Sequence, residues 1–204
     1  MDPKQEVFQP NKSEDQKIAS IVHHILLMLS RRIYIDKDKK KQPLMMFAPT
    51  TTPEVSTDGT FVTKARNGET YATKIFFHKI TTSGKQSVIS EFIKEYANYK
   101  KIIVASDFSN KIADFCVKNG IQLFKEDSML EDILANRDQP RFELLTPNEM
   151  KLVRQEYNVT DYTLTKTPKQ EIIAKYFGLK KSDVFRVIRP SATSGYSICY
   201  RIVD

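Results

Sequence analysis

Apolar residues recur at Ile18, Ile21, Val22, Ile25, Leu26 and Leu29, the three-and-four spacing of one helix face. Ser13 and Gln16 stand three apart just ahead of them, the spacing of a capping box. Arg31-Arg32 put positive charge where the helix carbonyls end. A long amphipathic helix is therefore expected from the capping box to the two arginines. A mixed-charge turn follows at residues 36–41. Leu44-Met45-Met46-Phe47 then reads as a short strand closed by Ala48-Pro49, and residues 50–59 as a Thr/Pro-rich loop. Phe61-Val62-Thr63 and the run 72–77 flank Asn67-Gly68, a hairpin signal.

From Ser83 the period changes. Val88, Ile89, Phe92, Ile93 and Tyr96 predict a helix, and Lys101-Ile102-Ile103-Val104-Ala105 a buried strand. Ile112, Ala113, Phe115, Cys116 and Val117 predict another helix, stopped by Gly120 in a left-handed cap. Residues 121–124 form a further strand, and Met129 to Leu134 a short helix. Helices alternating with strands imply a sheet that is at least partly parallel and covered by helices. Residues 136–140 make the expected boundary, dividing the chain into 1–140 and 141–204.

Beyond it, Thr146-Pro147-Asn148-Glu149 opens a helix with a cap, an N1 proline and a capping-box acid, and Met150, Val153 and Tyr157 form its inner face. Thr167-Pro168-Lys169-Gln170 repeats that grammar for a helix through Tyr176-Phe177, ended by Gly178. Val184 to Arg189 and Ile198 to Val203 are β-rich runs joined by a turn at 190–195. The fold class expected is an α/β N-terminal part, a mixed sheet with flanking helices, and a small α+β module after it.

Composition narrows the chemistry. Hydrophobic residues are 40% and charged residues 28% of the 204, ordinary for a globular chain with a real core. The longest apolar run, residues 25–29, is far below the ~20 residues of a membrane helix. The polar start, Met1 to Glu6, does not resemble a secretory leader. Two cysteines, Cys116 and Cys199, permit no disulfide framework and no Cys-x-x-Cys zinc site. The net charge of +7 makes nucleic acid a plausible neighbour, but the excess is spread out rather than gathered into a stripe.

No enzyme motif stands out, and no catalytic residue, metal or cofactor is assigned. There is no Gly-rich phosphate loop, Gly-x-Ser-x-Gly elbow or His-Glu-x-x-His. The neighbours His23 and His24 point about 100° apart on a helix and share an ion poorly. His78 has no visible partner. A metal-dependent nuclease built on the N-terminal sheet is the main alternative, but the Glu-x-Lys-like sets Asp15-Gln16-Lys17 and Glu149-Met150-Lys151 fall on helices where ligands would not converge. A free DNA-binding regulator would need a denser basic helix. One loop draws interest: Ser106-Asp107-Phe108-Ser109-Asn110-Lys111 follows a buried strand and precedes a helix. Ser109, Asn110 and Lys111 could meet a phosphate there.

The last helix and hairpin carry a specific pattern: Tyr176-Phe177-Gly178-Leu179-Lys180-Lys181, Val187-Ile188-Arg189-Pro190-Ser191, Thr193, Gly195, Ile198 and Tyr200-Arg201-Ile202-Val203. It closely resembles the fifth subunit of eukaryotic-type DNA-directed RNA polymerases, a family with a shorter archaeal counterpart. The fit runs from about Pro140 to the C-terminus and continues loosely upstream to about residue 84. Where the family often has Thr-Pro in the loop after the jaw strand, Ser109-Asn110 stands here. The resemblance implies an N-terminal jaw domain, a nuclease-like sheet without catalysis lying beside downstream DNA. It also implies a C-terminal assembly domain docking on the largest polymerase subunit among the other subunits. Arg189, Pro190, Tyr200 and Arg201 are the expected partner contacts, since arginine and tyrosine anchor interfaces. Ser109, Asn110 and Lys111 are the expected contacts to duplex DNA, weak and nonspecific. The resemblance implies a nuclear protein if cellular, or one of host cytoplasm and virion if encoded by a large, asfarvirus-like DNA virus. No membrane partner is expected.

Overall fold

The computed structural model describes residues 13–35, 38, 40–45, 53–82, 84, 87–135 and 139–204. Helix α1 (Glu14–Arg31) starts on the expected capping box: Gln16 N–H donates to Ser13 Oγ, and Ser13 N–H to Gln16 Oε1. Its apolar face is wide, with Ile21, Ile25, Met28 and Leu29 fully buried. Strands β1 (Ile33–Ile35) and β2 (Lys41–Pro43) form a two-stranded antiparallel ribbon. Of the strand expected at 44–47, the described residues Leu44 and Met45 are not in a strand. Leu44 gives its backbone to Arg32 and Arg66 rather than to a ladder, while its side chain plugs the core at 4% exposure. Met46 and Phe47 with Ala48-Pro49 lie outside the described residues, as do half of the turn at 36–41 and part of the loop at 50–59.

The first large sheet has the order β3 (Thr60–Lys64), β4 (Thr70–Ile80), β5 (Lys100–Phe108), β6 (Gln122–Lys125). The β3–β4 hairpin is antiparallel, and β4, β5 and β6 run parallel. Between them lie α2 (Val88–Glu95) and α3 (Asn110–Lys118), and α4 (Asp127–Leu130) follows. Period-two alternation sorts the sheet. Tyr71, Ile75, Ile102, Val104 and Phe124 face one cluster with α1, whereas Ala72, Phe76, Ile103, Ala105 and Leu123 face another with α2 and α3. That is why 102–105 reads as an unbroken apolar run: both faces are covered. Full burial of one such side chain is worth roughly 1.5–3 kcal/mol. Gly120 caps α3 as expected, at φ +66, with Ile121 N–H on Cys116 O and Gly120 N–H on Val117 O.

The second sheet has the order β7 (Arg141–Leu144), β9 (Val184–Ser191), β10 (Gly195–Val203), β8 (Thr165–Thr167), with β8 parallel to β10 and the other pairs antiparallel. Helices α5 (Pro147–Tyr157) and α6 (Ile172–Phe177) lie on its two faces: Met150 and Val153 pack on Val184 and Ile202, and Ala174 on Phe185, Val187 and Val203. Thr146 and Glu149 form the expected capping box.

Three further expectations are corrected here. Tyr157 is 55% exposed instead of lining the inner face of α5. Thr167 does not cap a helix; pairing with Val203 draws it into β8, and α6 begins only at Ile172 after a turn through Pro168. The helix expected at 129–134 is α4, which lies a few residues earlier. Strand β7 has no counterpart among the elements expected from the pattern. Residues 136–138 of the expected boundary lie outside the described residues. Tyr176 of α6, 2% exposed, packs into the same cluster as α1.

Candidate interaction surfaces

The β9–β10 hairpin carries the four expected partner contacts, and its register divides them. Directly opposed residues share a face. Tyr196 opposes Pro190, Ile198 opposes Ile188, Tyr200 opposes Arg186 and Ile202 opposes Val184, all on the side covered by α5. Arg201 opposes Phe185, Cys199 Val187 and Arg189 Ser197, on the α6 side. Pro190 and Tyr200 are therefore together, and Arg189 and Arg201 are together on the opposite face. Arg189 and Pro190 are exposed, while Tyr200 and Arg201 are half-buried. Arg201 Nε is buried without a hydrogen-bond partner.

Both helices cover only the base of the hairpin. Its outer half, from Ile188 round to Cys199, projects past them. On the α5 side it leaves Tyr196 72% and Ile198 51% exposed. Tyr200 continues the strip by packing on Tyr157, ring centroids 5.7 Å apart. Burial raises the Tyr200 phenol, with the Tyr157 ring the next cause. One step across the sheet, Arg186 donates to Glu143 at 2.5 Å, and Arg141 pairs with the same carboxylate at 2.7 Å. Sequence reasoning missed Tyr196, Ile198 and Tyr157 as surface. The signal for the first two was available: apolar residues at alternate positions beside a turn, on strand ends too long for the helices to cover.

The second surface lies at the carboxyl end of β5. The expected six-residue loop is in fact strand through Phe108, which pairs with Ile80. Ser109 is the single link into α3, whose first two residues are Asn110 and Lys111. The structure thus gathers Ser109, Asn110 and Lys111 on one helix turn, with Asn110 and Lys111 exposed. Ser109 makes no capping bond, and its Oγ is buried without a partner. Asp107 is held between Lys79 at 2.7 Å and Lys125 at 3.3 Å. The Lys79 hydrogen bond, then the Phe108 amide and Lys125, bring its carboxyl down to about 2. Two lysines around one carboxylate leave this corner with a net positive charge.

Residues weighed for catalysis are occupied structurally. Lys17 pairs with Glu126 at 2.8 Å, and Glu149 accepts from Thr146 and Lys41. His24 Nδ1 donates to the Met129 carbonyl at 2.9 Å. His78 is exposed, its ring edge-on to Phe76. Among the described residues no three His, Cys, Asp or Glu side chains converge, and no helix is long and apolar enough to cross a membrane. Burial pushes the Cys116 thiol up to about 11, so it is a core side chain rather than a nucleophile.

Comparison with known proteins bears on both surfaces. The family described as RNA polymerase Rpb5, C-terminal domain, matches residues 131–203. The chain is 48% identical over 206 residues to DNA-directed RNA polymerase subunit 5 of Acanthamoeba polyphaga mimivirus, covering all of both chains. It is 24% identical over 204 residues to subunit RPABC1 of RNA polymerases I, II and III from Caenorhabditis elegans, covering 93% of this chain and 97% of the relative. It is 36% identical over 64 residues to subunit Rpo5 of Methanocaldococcus jannaschii, covering 31% of this chain and 82% of the relative. A relative from a mimivirus stands beside the cellular ones, in keeping with the expectation of a large DNA virus.

Proposed function

The chain belongs to the RNA polymerase subunit 5 family, and on that premise we propose that it is a non-catalytic subunit that docks by its C-terminal module and holds a jaw beside downstream DNA. The observation that carries this reading is the outer half of the β9–β10 hairpin, where Tyr196 and Ile198 stand in water next to Pro190. Bare aromatic and aliphatic side chains on a rigid ribbon are what an interface core is made of. The largest polymerase subunit is the proposed partner, with the other subunits around it. Tyr200 and Pro190 belong to this contact. Arg189 and Arg201, on the reverse face, serve as its charged rim or a second contact. The family match to residues 131–203 supports treating residues 141–204 as the docking unit.

In the jaw, the exposed Asn110 and Lys111 meet backbone phosphates of the duplex, weakly and without sequence preference, whereas the buried Ser109 hydroxyl corrects the expected third contact. The first turn of α3 puts the Asn110 amide group and the Lys111 ammonium in water. The site of action is the nucleus for a cellular source, or host cytoplasm and virion for a viral one; the mimiviral likeness favours the second.

The test is co-purification. Tagged chain carrying Tyr196→Glu and Ile198→Glu is expected to fold and to lose the largest subunit, because two carboxylates would have to be desolvated in the interface. Retention of the largest subunit by the folded double variant would move the interface elsewhere.

A further inference from the structure

The last two residues before β1, Arg31 and Arg32, reach across to α6, the helix that packs on the second sheet. The Arg32 guanidinium is 3% exposed. Its Nε donates to the Tyr176 carbonyl at 2.7 Å, and its Nη2 to the Lys175 carbonyl and to Gln122 Oε1, both at 2.8 Å. These acceptors are neutral. The two carbonyls close α6 and carry the negative end of its dipole, which is what makes a buried cation tolerable here. Gly178 passes directly over the guanidinium at φ +64, and a Cβ there would stand 3.3 Å from Nη1. Arg31 binds both oxygens of Asp132, at 2.5 and 2.7 Å, and donates to the Tyr176 hydroxyl at 2.9 Å. Two consecutive arginines thus grip the backbone and the side chain of the same tyrosine. Lys175 returns a bond from α6 to the Leu123 carbonyl of β6 at 3.0 Å.

We propose that this arginine pair is a latch that makes the two four-stranded sheets one rigid body, so that whatever seats the second sheet also sets the direction of the first. Its consequence for transcription, a jaw aimed by the docking module, rests on the reading above. The latch itself does not, since a chain that never entered a polymerase would still carry it.

Residual dipolar couplings on the free, full-length chain test it. The amides of β3–β6 and of β7–β10 are expected to fit one alignment tensor. Arg31→Met with Arg32→Met is expected to leave both sets of strands folded but to require two tensors, with exchange protection of the α6 amides falling about a hundredfold. A folded double variant that keeps one tensor, or a native chain that already needs two, overturns the proposal. If the double variant does not fold, Asp132→Ala with Tyr176→Phe removes the side-chain acceptors of Arg31 and leaves Arg32 in place. Weakened agreement with one tensor then supports the latch, and unchanged agreement with unchanged α6 protection overturns it.

Discussion

The two large sheets solve the same packing problem differently. In the first, the inner strand β5 is sealed on both sides, and Ile102, Ile103, Val104 and Ala105 are all 0% exposed. In the second, helices seal only the base, and β9–β10 runs on into water with Tyr196 and Ile198 bare. A sheet covered throughout needs nothing more to be stable. A ribbon that keeps its apolar residues outside its own core has them available for another molecule. The charges follow the same division. At the carboxyl end of the first sheet two lysines share the Asp107 carboxylate, whereas Arg189 stands exposed at the hairpin end.

Truncation of one apolar side chain in each sheet puts this contrast at greatest risk. Phe124→Ala, in the sealed sheet, is expected to cost about 3–5 kcal/mol in denaturant unfolding, whereas Ile198→Ala, on the bare ribbon, costs under about 1 kcal/mol. Equal losses would mean the ribbon is part of a core.

A smaller effect tests the join between the sheets. The Arg31 hydrogen bonds hold the Asp132 carboxyl below its ordinary 3.8. A carboxylate with a depressed folded value adds stability above its ordinary value and loses it as pH falls through the folded one. Asp132→Asn is therefore expected to cost about 1–2 kcal/mol at neutral pH and nearly nothing in strong acid, a partly buried ion pair lying between the exposed and buried cases. A cost independent of pH would show that the charge is irrelevant.

The caps differ by about as much. Thr146→Ala removes a working capping box and should cost ~1 kcal/mol. Ser109→Ala removes a hydroxyl without a partner and should leave thermal stability within ~0.5 kcal/mol. Lys111→Glu should reduce the salt slope of downstream DNA retention in the assembled enzyme by about one phosphate contact. An unchanged slope would remove this corner from the DNA path.

Much of this was legible in the chain because the signals are local. Both capping boxes, the left-handed glycines after α3 and α6, and the doubly buried run at 102–105 depend on neighbours in sequence. What was not legible depends on distant pairing. Thr167-Pro168 carries the same cap grammar as Thr146-Pro147, yet the ladder with Val203 takes it into β8. Strand β7 is four residues whose alternation makes sense only once Phe142 and Leu144 lie against α6 and Arg141 and Glu143 face the other way. The expected partner contacts were identifiable as surface candidates, but which of them share a face is set by the register of β9 on β10. The latch was equally hidden: Arg31-Arg32 reads as a helix end, and its acceptors lie 90 to 145 residues away.

If the α5 side of the β9–β10 ribbon is the docking face, a photo-crosslinking residue at position 196 must lie against the partner. In polymerase assembled around such a chain, the expected result is a covalent adduct with the largest subunit from position 196 and none from the same probe at Val62, on the edge strand of the first sheet. No adduct from position 196 in an enzyme that has incorporated the chain, or an adduct with the largest subunit from position 62 alone, would contradict it.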